Sequence, residues 1–410
     1  SSFITATLGY DFGAPGFVGT VANNIILPSA AVTVNIGKTS IFNQGQTLRL
    51  TGLLSGGGAG MSLELNRNSG FNPNIVVLDN PNNSFLGTIR NGTSASGGSF
   101  AITSNGALGN ANNPISLTSS SSGLGSMRFD ANNITVGSGH TITSASGSIN
   151  TNGNNAAIAG VLAGTGGFTK IGAGALTLSN PSNTFSGPMR VSGGSLLVNG
   201  SLAGGATLTV TYGSLPGDPL VPGGTLGGTG FIGATNAPRN VSIENGGTLA
   251  PGSSTGLLTV NGNVTFSPHF DFYDDPIFAV EVNGTTVGTG YDQLAVNGAV
   301  DLGGANLLLS FGFTPSMSDM FFLVSNDGTD PITGMFYGLA EGSQFTTNIG
   351  GTNYTGQITY QGDFGALLTS GGNDIAIFGL TVAIPEPGSL ALLGFGVLSG
   401  AALFHRRRKS

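Results

Sequence analysis

The feature of this sequence that most limits its fold is an internal repeat. The segment VLDNPNNSFLGTIRNG, which begins at Val77, aligns with TLSNPSNTFSGPMRVSG, which begins at Thr177. Upstream, LTGLLSGGG at Leu50 aligns with IAGVLAGTG at Ile158 at a larger offset, which indicates a loop insertion in the first copy. Such repeats are typical of stacked supersecondary units. The identities in the main alignment are Asn80 and Asn180, Pro81 and Pro181, Asn83 and Asn183, Phe85 and Phe185, Gly87 and Gly187, and Arg90 and Arg190.

A shorter phrase, a double glycine followed by apolar residues, recurs at Gly193, Gly223 and Gly246. Between such turns apolar residues alternate, as at Leu258 and Val260, which is the period of a strand with one buried face. With 72 glycines in 410 residues a helical protein is excluded, because each glycine in a helix interior costs about 1 kcal/mol relative to alanine. The hydrophobic share of 39% is too high for a disordered chain.

Short strands, polar turns and a recurring unit of about 20 to 30 residues predict a parallel β-solenoid, in which each coil pairs with the coils above and below. About fifteen coils, each rising about 4.8 Å, would form a rod of roughly 70 Å. A set of β-sandwiches is the alternative architecture that short, regularly spaced strands allow. No segment long enough to form a helix of several turns before Pro385 has helical periodicity.

The stretch GTGGFTKIGAGALTLSNPSNTFSGPMRVSGGSLLVNG, Gly164 to Gly200, resembles the passenger-associated β-strand repeat of autotransporter-like proteins. Later phrases such as GGTLGGTGFIGA and GGTLAPGSSTGLLTVNGNVTF are similar to the same passengers, and the resemblance extends from about Leu48 to Phe378. It implies an all-β, right-handed parallel β-helix.

The charges are divided unevenly along the chain. Up to Arg239 there are eight basic and five acidic residues, whereas from Asn240 to Pro385 there are thirteen acidic residues and no Lys or Arg. The acidic half argues against nucleic acid as a partner, because phosphate contacts require clustered cations. It favours solubility through like-charge repulsion, with loose binding of divalent cations as the alternative interpretation.

The segment 384–410 has a different pattern. Residues 388–404 carry no charge and would span about 25 Å as a helix, at the short end of what crosses a bilayer. Pro387 suits the first turn of that helix. Under the positive-inside rule the cations that follow stay cytoplasmic and place the preceding chain across the membrane. We therefore predict one C-terminal transmembrane helix, in transient contact with the inner membrane. The flanking cations are Arg406, Arg407, Arg408 and Lys409.

The order Pro385-Glu386-Pro387, apolar span and basic cluster resembles the bacterial PEP-CTERM sorting signal. The resemblance implies that an exosortase-type integral-membrane protease recognises the tripeptide and that the protein is released or attached at the cell surface. A prolyl segment held at the water interface has few conformers and is accessible to an embedded enzyme. A permanent tail anchor is the alternative.

One acidic cluster is interleaved with aromatic residues, in HFDFYDDPIFAVEV. Asp271, Asp274, Asp275 and Glu281 lie near His269 there, and this pattern is similar to a sugar-contact or Ca²⁺-binding loop. The alternative is an exposed loop with partly packed aromatic rings. A catalytic carboxylate pair is a third interpretation.

Other candidate motifs have ordinary explanations. Gly252 to Gly256 matches the G-x-S-x-G nucleophile elbow around Ser254, but that motif requires a helix after the turn, and LLTVNGNVTF indicates a strand. Gly228 to Gly233 matches the dinucleotide fingerprint without a following helix. We interpret both as turns between coils, and His140, in GSGHTITS, as a surface residue.

These observations predict a non-enzymatic, exported structural or adhesive protein of the cell surface or extracellular matrix, associated with exopolysaccharide and needing no cofactor. The alternative is a polysaccharide lyase or glycoside hydrolase on the same fold, disfavoured because no cation follows Arg239 before the tail. The predicted division is a cap or linker at 1–45, β-helix repeats at 46–266, an acidic part of the solenoid at 267–383, and the sorting signal at 384–410.

Overall fold

The computed structural model of the chain describes residues 5–8, 18–36, 46–65, 75–91, 98–118, 126–212, 223–269, 274–330 and 332–383. These ranges form 37 strands, β1 to β37, and one 3-10 turn at Gly106–Leu108. The chain is therefore all-β where it is described, as the repeats predict.

The strands of the N-terminal half run in chain order as β1 Thr5–Leu8, β2 Val18–Val21, β3 Ile25–Leu27, β4 Thr33–Ile36, β5 Thr47–Leu50, β6 Leu54–Leu65, β7 Ile75–Leu78, β8 Leu86–Asn91, β9 Ser99–Ile102, β10 Ile115–Leu117, β11 Ser126–Phe129, β12 Ile134–Val136, β13 Ile142–Ser144, β14 Gly147–Asn150, β15 Ala156–Ile158, β16 Leu162–Ala163, β17 Phe168–Ile171, β18 Ala175–Leu178, β19 Met189–Val191, β20 Ser195–Val198 and β21 Ser201–Leu202.

The remaining strands are β22 Leu208–Val210, β23 Thr225–Gly228, β24 Phe231–Ile232, β25 Val241–Ile243, β26 Thr248–Pro251, β27 Leu257–Asn261, β28 Val264–Phe266, β29 Ile277–Val282, β30 Gln293–Asn297, β31 Val300–Asp301, β32 Asn306–Phe311, β33 Met320–Asn326, β34 Ile332–Thr333, β35 Gln344–Ile349, β36 Thr352–Gly362 and β37 Asp374–Val382.

Successive coils of the chain stack these strands into parallel sheets. The long sheet has thirteen strands, from β2 to β34, and the first sheet runs from β1 to β16. The second sheet, β12-β15-β18-β20-β23-β26-β29-β32, and the third sheet, which starts β21-β24-β27-β30-β33, form the other faces of the later coils. At about 4.8 Å per step the long sheet is roughly 58 Å from end to end, shorter than the length predicted from the sequence. This arrangement is a parallel β-helix and excludes the sandwich alternative.

The spacing of the double-glycine phrases is the length of a coil. Ser195 pairs with Thr225, and Thr225 pairs with Thr248. These two intervals equal those from Gly193 to Gly223 and from Gly223 to Gly246. Coil length varies more widely elsewhere, since the coil from Met189 to Leu208 is short and the coil from Val264 to Val300 is nearly twice as long. The strand pairs that bound both of these coils keep a continuous register, so the corners absorb the difference in length.

The core consists of aligned inward side chains. Leu176, Leu196, Leu226, Leu249 and Phe278 occupy consecutive rungs of the second sheet, and all are buried. Removing such a stack from water is the dominant stabilising contribution, at about 2 kcal/mol per side chain. The predicted alternation at Leu258 and Val260 is confirmed, since both are buried.

The long internal repeat specifies a corner. Asn83 accepts the backbone N–H of Leu54 at 2.8 Å, and Asn183 accepts that of Leu162 at 2.8 Å. Asn80 and Asn180 equally donate to the carbonyls of the preceding coil, at 2.9 and 2.8 Å. Phe85 and Phe185 are fully buried beneath these corners. An asparagine amide here satisfies backbone groups that the turning chain leaves unpaired.

The C-terminal end departs from the parallel pattern. In the third sheet β33 pairs antiparallel with β37, which pairs antiparallel with β36, and β36 with β35. Within this cap Phe336 is buried and Tyr360 donates a hydrogen bond to the Leu339 carbonyl at 2.7 Å. The chain reversal covers the last coil, whose inward side chains would otherwise face water.

The parts of the chain that the structure describes include no helix with the length and hydrophobicity that a membrane crossing requires. The predicted transmembrane helix at 388–404 lies outside those parts.

Candidate functional site: a groove on the second sheet

The sorting signal predicted from the sequence lies outside the described residues. This applies to Pro385, Glu386 and Pro387 and to the basic cluster of Arg406, Arg407, Arg408 and Lys409. The last described residue, Ala383, donates its N–H to the Asn353 carbonyl at 2.8 Å, so it lies beside β36.

The predicted acidic cluster is partly described, since Asp271 lies outside the described ranges. Asp275 contacts His269, with 2.6 Å between the carboxylate oxygen and ring Nδ1. The backbone of Asp274 makes two hydrogen bonds. Its N–H donates to the Tyr212 hydroxyl, and its carbonyl oxygen accepts the N–H of Gly246. No group of three metal-ligating side chains occurs among the described residues, and the cation or glycan contact at Asp271, Asp274, Asp275 and Glu281 stays a prediction.

The interpretation of His140 as a surface residue is wrong. The side chain is fully buried, and its Nδ1 lies 2.8 Å from the Asn113 carbonyl oxygen. Alternation backwards from the buried Ile142 would have placed residue 140 inward.

A groove lies on the outer face of the second sheet, with a volume of about 350 Å³. Its floor follows one outward column of the ladder, in which Leu197 pairs with Gly227 and Gly227 with Ala250. Ala279 continues the column and pairs with Leu308. Small residues between two leucines leave a trough that crosses several coils.

The turn between β26 and β27 lines one side of this groove. Gly252 has a φ of +92°, and a Cβ there would collide with the Ser254 carbonyl, so glycine is required. Ser253 donates to the side-chain oxygen of Asn199 at 3.1 Å, while Ser254 is exposed. The elbow-like motif is thus a turn followed by a strand, as the sequence predicts.

Two carboxylates line the same groove. Asp292 is 2% exposed, and its two oxygens accept the N–H groups of Gly256 and Glu281, both at 2.7 Å. Burial raises the pKa of Asp292 to about 7, the nearby Glu281 carboxylate adds to this, and the two backbone hydrogen bonds oppose it. Glu281 itself is exposed on β29. The residues lining the groove include no Lys, Arg or His.

Sequence reasoning missed Asp292 as a groove residue, although a signal was present. Asp292 shares the parity of the buried Leu294 and Val296, and a carboxylate at an inward position is unusual.

It also missed two cations in the core. Lys170 is fully buried and donates to the carbonyls of Gly172 and Gly193, both at 2.7 Å. Burial lowers its pKa from 10.5 to about 7. Arg239, also fully buried, donates to four backbone carbonyls.

Comparisons with known proteins agree with the two resemblances. The family model described as passenger-associated-transport-repeat matches residues 168–198, which run from the start of β17 to the end of β20. The model described as PEP-CTERM protein-sorting motif matches residues 383–409. The chain therefore carries both elements.

A segment of 135 residues is 36% identical to the "Adhesin BmaC autotransporter" of Brucella suis biovar 1 (strain 1330). The alignment covers 32% of this chain and 4% of that adhesin. The sorting motif and this similarity support export to the cell surface.

Proposed function

We propose that this chain is an exported, non-enzymatic structural or adhesive protein of the cell surface or extracellular matrix. The observation that carries the proposal is the coexistence of a passenger-type repeat and a sorting motif in one chain. A stacked coil with extended faces provides a stiff element for multivalent contact.

The sorting step belongs to a partner, an exosortase-type membrane protease. In this proposal residues 388–404 cross the inner membrane transiently, and Arg406 to Lys409 stay cytoplasmic. Pro385, Glu386 and Pro387 are then held at the outer interface for recognition. The proposed division is 1–45 as cap or linker, 46–266 as repeats, and 267–383 as the acidic end.

A polysaccharide lyase or glycoside hydrolase is the second candidate, and one observation favours it. The groove contains Asp292, whose raised pKa near 7 suits a general acid. The described residues that line the groove include no cation to hold an acidic substrate, and both Asp292 oxygens are engaged by backbone amides. The non-enzymatic proposal is therefore preferred.

Intact mass spectrometry of the protein from the source cells tests the sorting step. We expect the extracellular fraction to hold a species ending between Ala383 and Pro387. The Pro385→Ala, Pro387→Ala double variant should instead retain residues 388–410 in the membrane fraction. Pro181→Ala, in an exposed turn, is the matched control and should be processed like the wild type.

If wild type and double variant share one C-terminus in both fractions, the sorting proposal is wrong. A wild-type species found only in the membrane with residues 388–410 intact would instead make the tail a permanent anchor. Turnover of an acidic polysaccharide by the purified chain, lost in Asp292→Asn, would favour the enzymatic alternative.

A further inference from the structure

The groove has a chemical character that neither the repeat nor the sorting motif explains. Its floor is aliphatic, with Leu197, Ala250, Ala279 and Leu308 along one column of the second sheet. Hydroxyl groups and the exposed Glu281 carboxylate lie along its edges, Asp292 is buried beneath them, and the described lining residues include no aromatic side chain. An aliphatic trough with anionic edges matches a lysine or arginine side chain, whose stem is apolar and whose end is cationic.

The part of the chain around the groove is negatively charged, as is the Glu281 carboxylate at its edge. From Asn240 to Pro385 the sequence contains thirteen acidic residues and no Lys or Arg. Such a surface attracts cationic partners and repels anionic ones, which changes association rates as well as affinity. Glu281 is exposed, so a bound cation can reach its carboxylate.

An acidic polysaccharide does not fit these observations. It would meet the exposed Glu281 carboxylate, and the described groove residues provide neither a compensating cation nor an aromatic ring on which a sugar could stack. A protein segment that carries Lys or Arg among small residues meets both requirements.

We propose that the groove formed by Leu197, Ala250, Ala279, Leu308, Glu281 and Asp292 binds a cationic, aliphatic segment of a partner protein. This inference rests on the proposed function in that the partner is met outside the cell. The partner segment lies across the strands, with its apolar atoms on the floor formed by Ala250 and Ala279 and a cation at the exposed Glu281 carboxylate.

Binding is tested with the full chain in nonionic detergent micelles. The probe is a short fluorescein-labelled peptide of alternating lysine and alanine, followed by fluorescence anisotropy. The same peptide with glutamine in place of lysine, and a labelled oligogalacturonate, serve as comparison ligands. We expect the lysine peptide to bind and the other two to bind at least about tenfold more weakly.

Two variants examine the groove itself. Glu281→Gln removes an exposed charge without touching the core and should weaken peptide binding about fivefold. Asp327→Asn, an exposed charge in the same acidic half, is the matched control and should change affinity less than twofold. Ala279→Leu fills the floor while keeping both carboxylates and should abolish binding.

Equal weakening by Glu281→Gln and Asp327→Asn would mean that the general negative field binds the peptide, and the groove proposal would fall. Preferential binding of oligogalacturonate would overturn it in favour of a glycan site, as would unchanged peptide affinity in Ala279→Leu. Circular dichroism of each variant verifies folding. Tail processing is measured separately by mass, so failure of the sorting proposal and failure of the groove proposal are distinguishable.

Discussion

Arg239 is a buried cation at a corner of the solenoid, and replacing it should be strongly destabilising. Its guanidinium donates to the carbonyls of Phe185 and Gly187 at 2.8 and 3.0 Å, and to those of Ala203 and Ala206 at 2.8 and 2.7 Å. The guanidinium carbon also lies 5.8 Å from the centre of the Phe185 ring. One side chain thus binds the backbone of two consecutive coils.

The magnitude follows from two opposing contributions. Arg239→Met leaves four carbonyls without this donor, two buried and two part-buried, and at about 2 and about 1 kcal/mol each the loss is about 6 kcal/mol. Methionine also avoids the cost of burying a charge. Burial lowers the pKa of Arg239 from 12.5 to about 10, which corresponds to about 3 kcal/mol. The net expectation is a decrease of about 3 kcal/mol in the free energy of unfolding.

Urea unfolding followed by circular dichroism measures this change. Arg239→Lys keeps the charge but cannot reproduce the planar fork of donors, so we expect it to lose about half as much stability. Arg190→Met, at an exposed arginine of the repeat, is the control and should change stability by less than about 0.5 kcal/mol. A loss below about 1 kcal/mol in Arg239→Met would refute the reasoning, because the four carbonyls would then have found other partners.

Three further changes test the core and its corners. Burial lowers the folded pKa of Lys170 from 10.5 to about 7, so between pH 7 and 9 the unfolded state binds more protons at this residue than the folded state does. The free energy of unfolding should therefore rise by about 2 kcal/mol over this range. Urea midpoints of Lys170→Met should lack the rise. The pH dependence from Asp292 has the opposite sign, because its folded pKa is raised from 3.8 to about 7. Its contribution to the free energy of unfolding is complete below pH 4 and is lost as pH rises through 7. Asp292→Asn should remove this pH dependence. Asn83→Ala and Asn183→Ala should each cost about 2 kcal/mol in thermal or urea unfolding because each leaves a buried N–H unpaired, and clearly unequal losses would contradict the equivalence of the two corners.

The sequence predicts the coil and its register well because both depend on local chemistry. The number of residues between the double-glycine phrases at Gly193, Gly223 and Gly246 equals the number between paired positions on neighbouring strands. The corner residues Asn83 and Asn183 recur because each bonds the backbone of the preceding coil in the same way.

Which face a strand joins is less predictable. β7 and β18 precede equivalent corners, yet β7 belongs to the long sheet and β18 to the second sheet. The repeat determines how the chain turns, and the sheet that a strand enters depends on the coils already stacked beneath it. The antiparallel pairing of β33, β37 and β36 likewise depends on where the stack ends.

The groove could not be predicted from any local pattern. Its ends at Leu197 and Leu308 are separated by several coils, and only the ladder register brings them onto one column. Lys170 and His140 were predictable in part, since each shares the parity of a buried neighbour, Phe168 and Ile142. The polar side chains of Lys170 and His140 favoured an exposed position, whereas the alternation of buried residues along the strand indicates their burial correctly.

The antiparallel cap determines how the molecule responds to a pulling force. A load applied through the residues after Ala383 enters the fold at β37, which is hydrogen-bonded to β33 on one side and to β36 on the other. A component of this load along β37 would shear both ladders together, because the strand is paired on both sides. The reversal of the chain therefore holds β37 by two ladders at once, whereas the last strand of a uniform stack of coils would have one hydrogen-bonded neighbour.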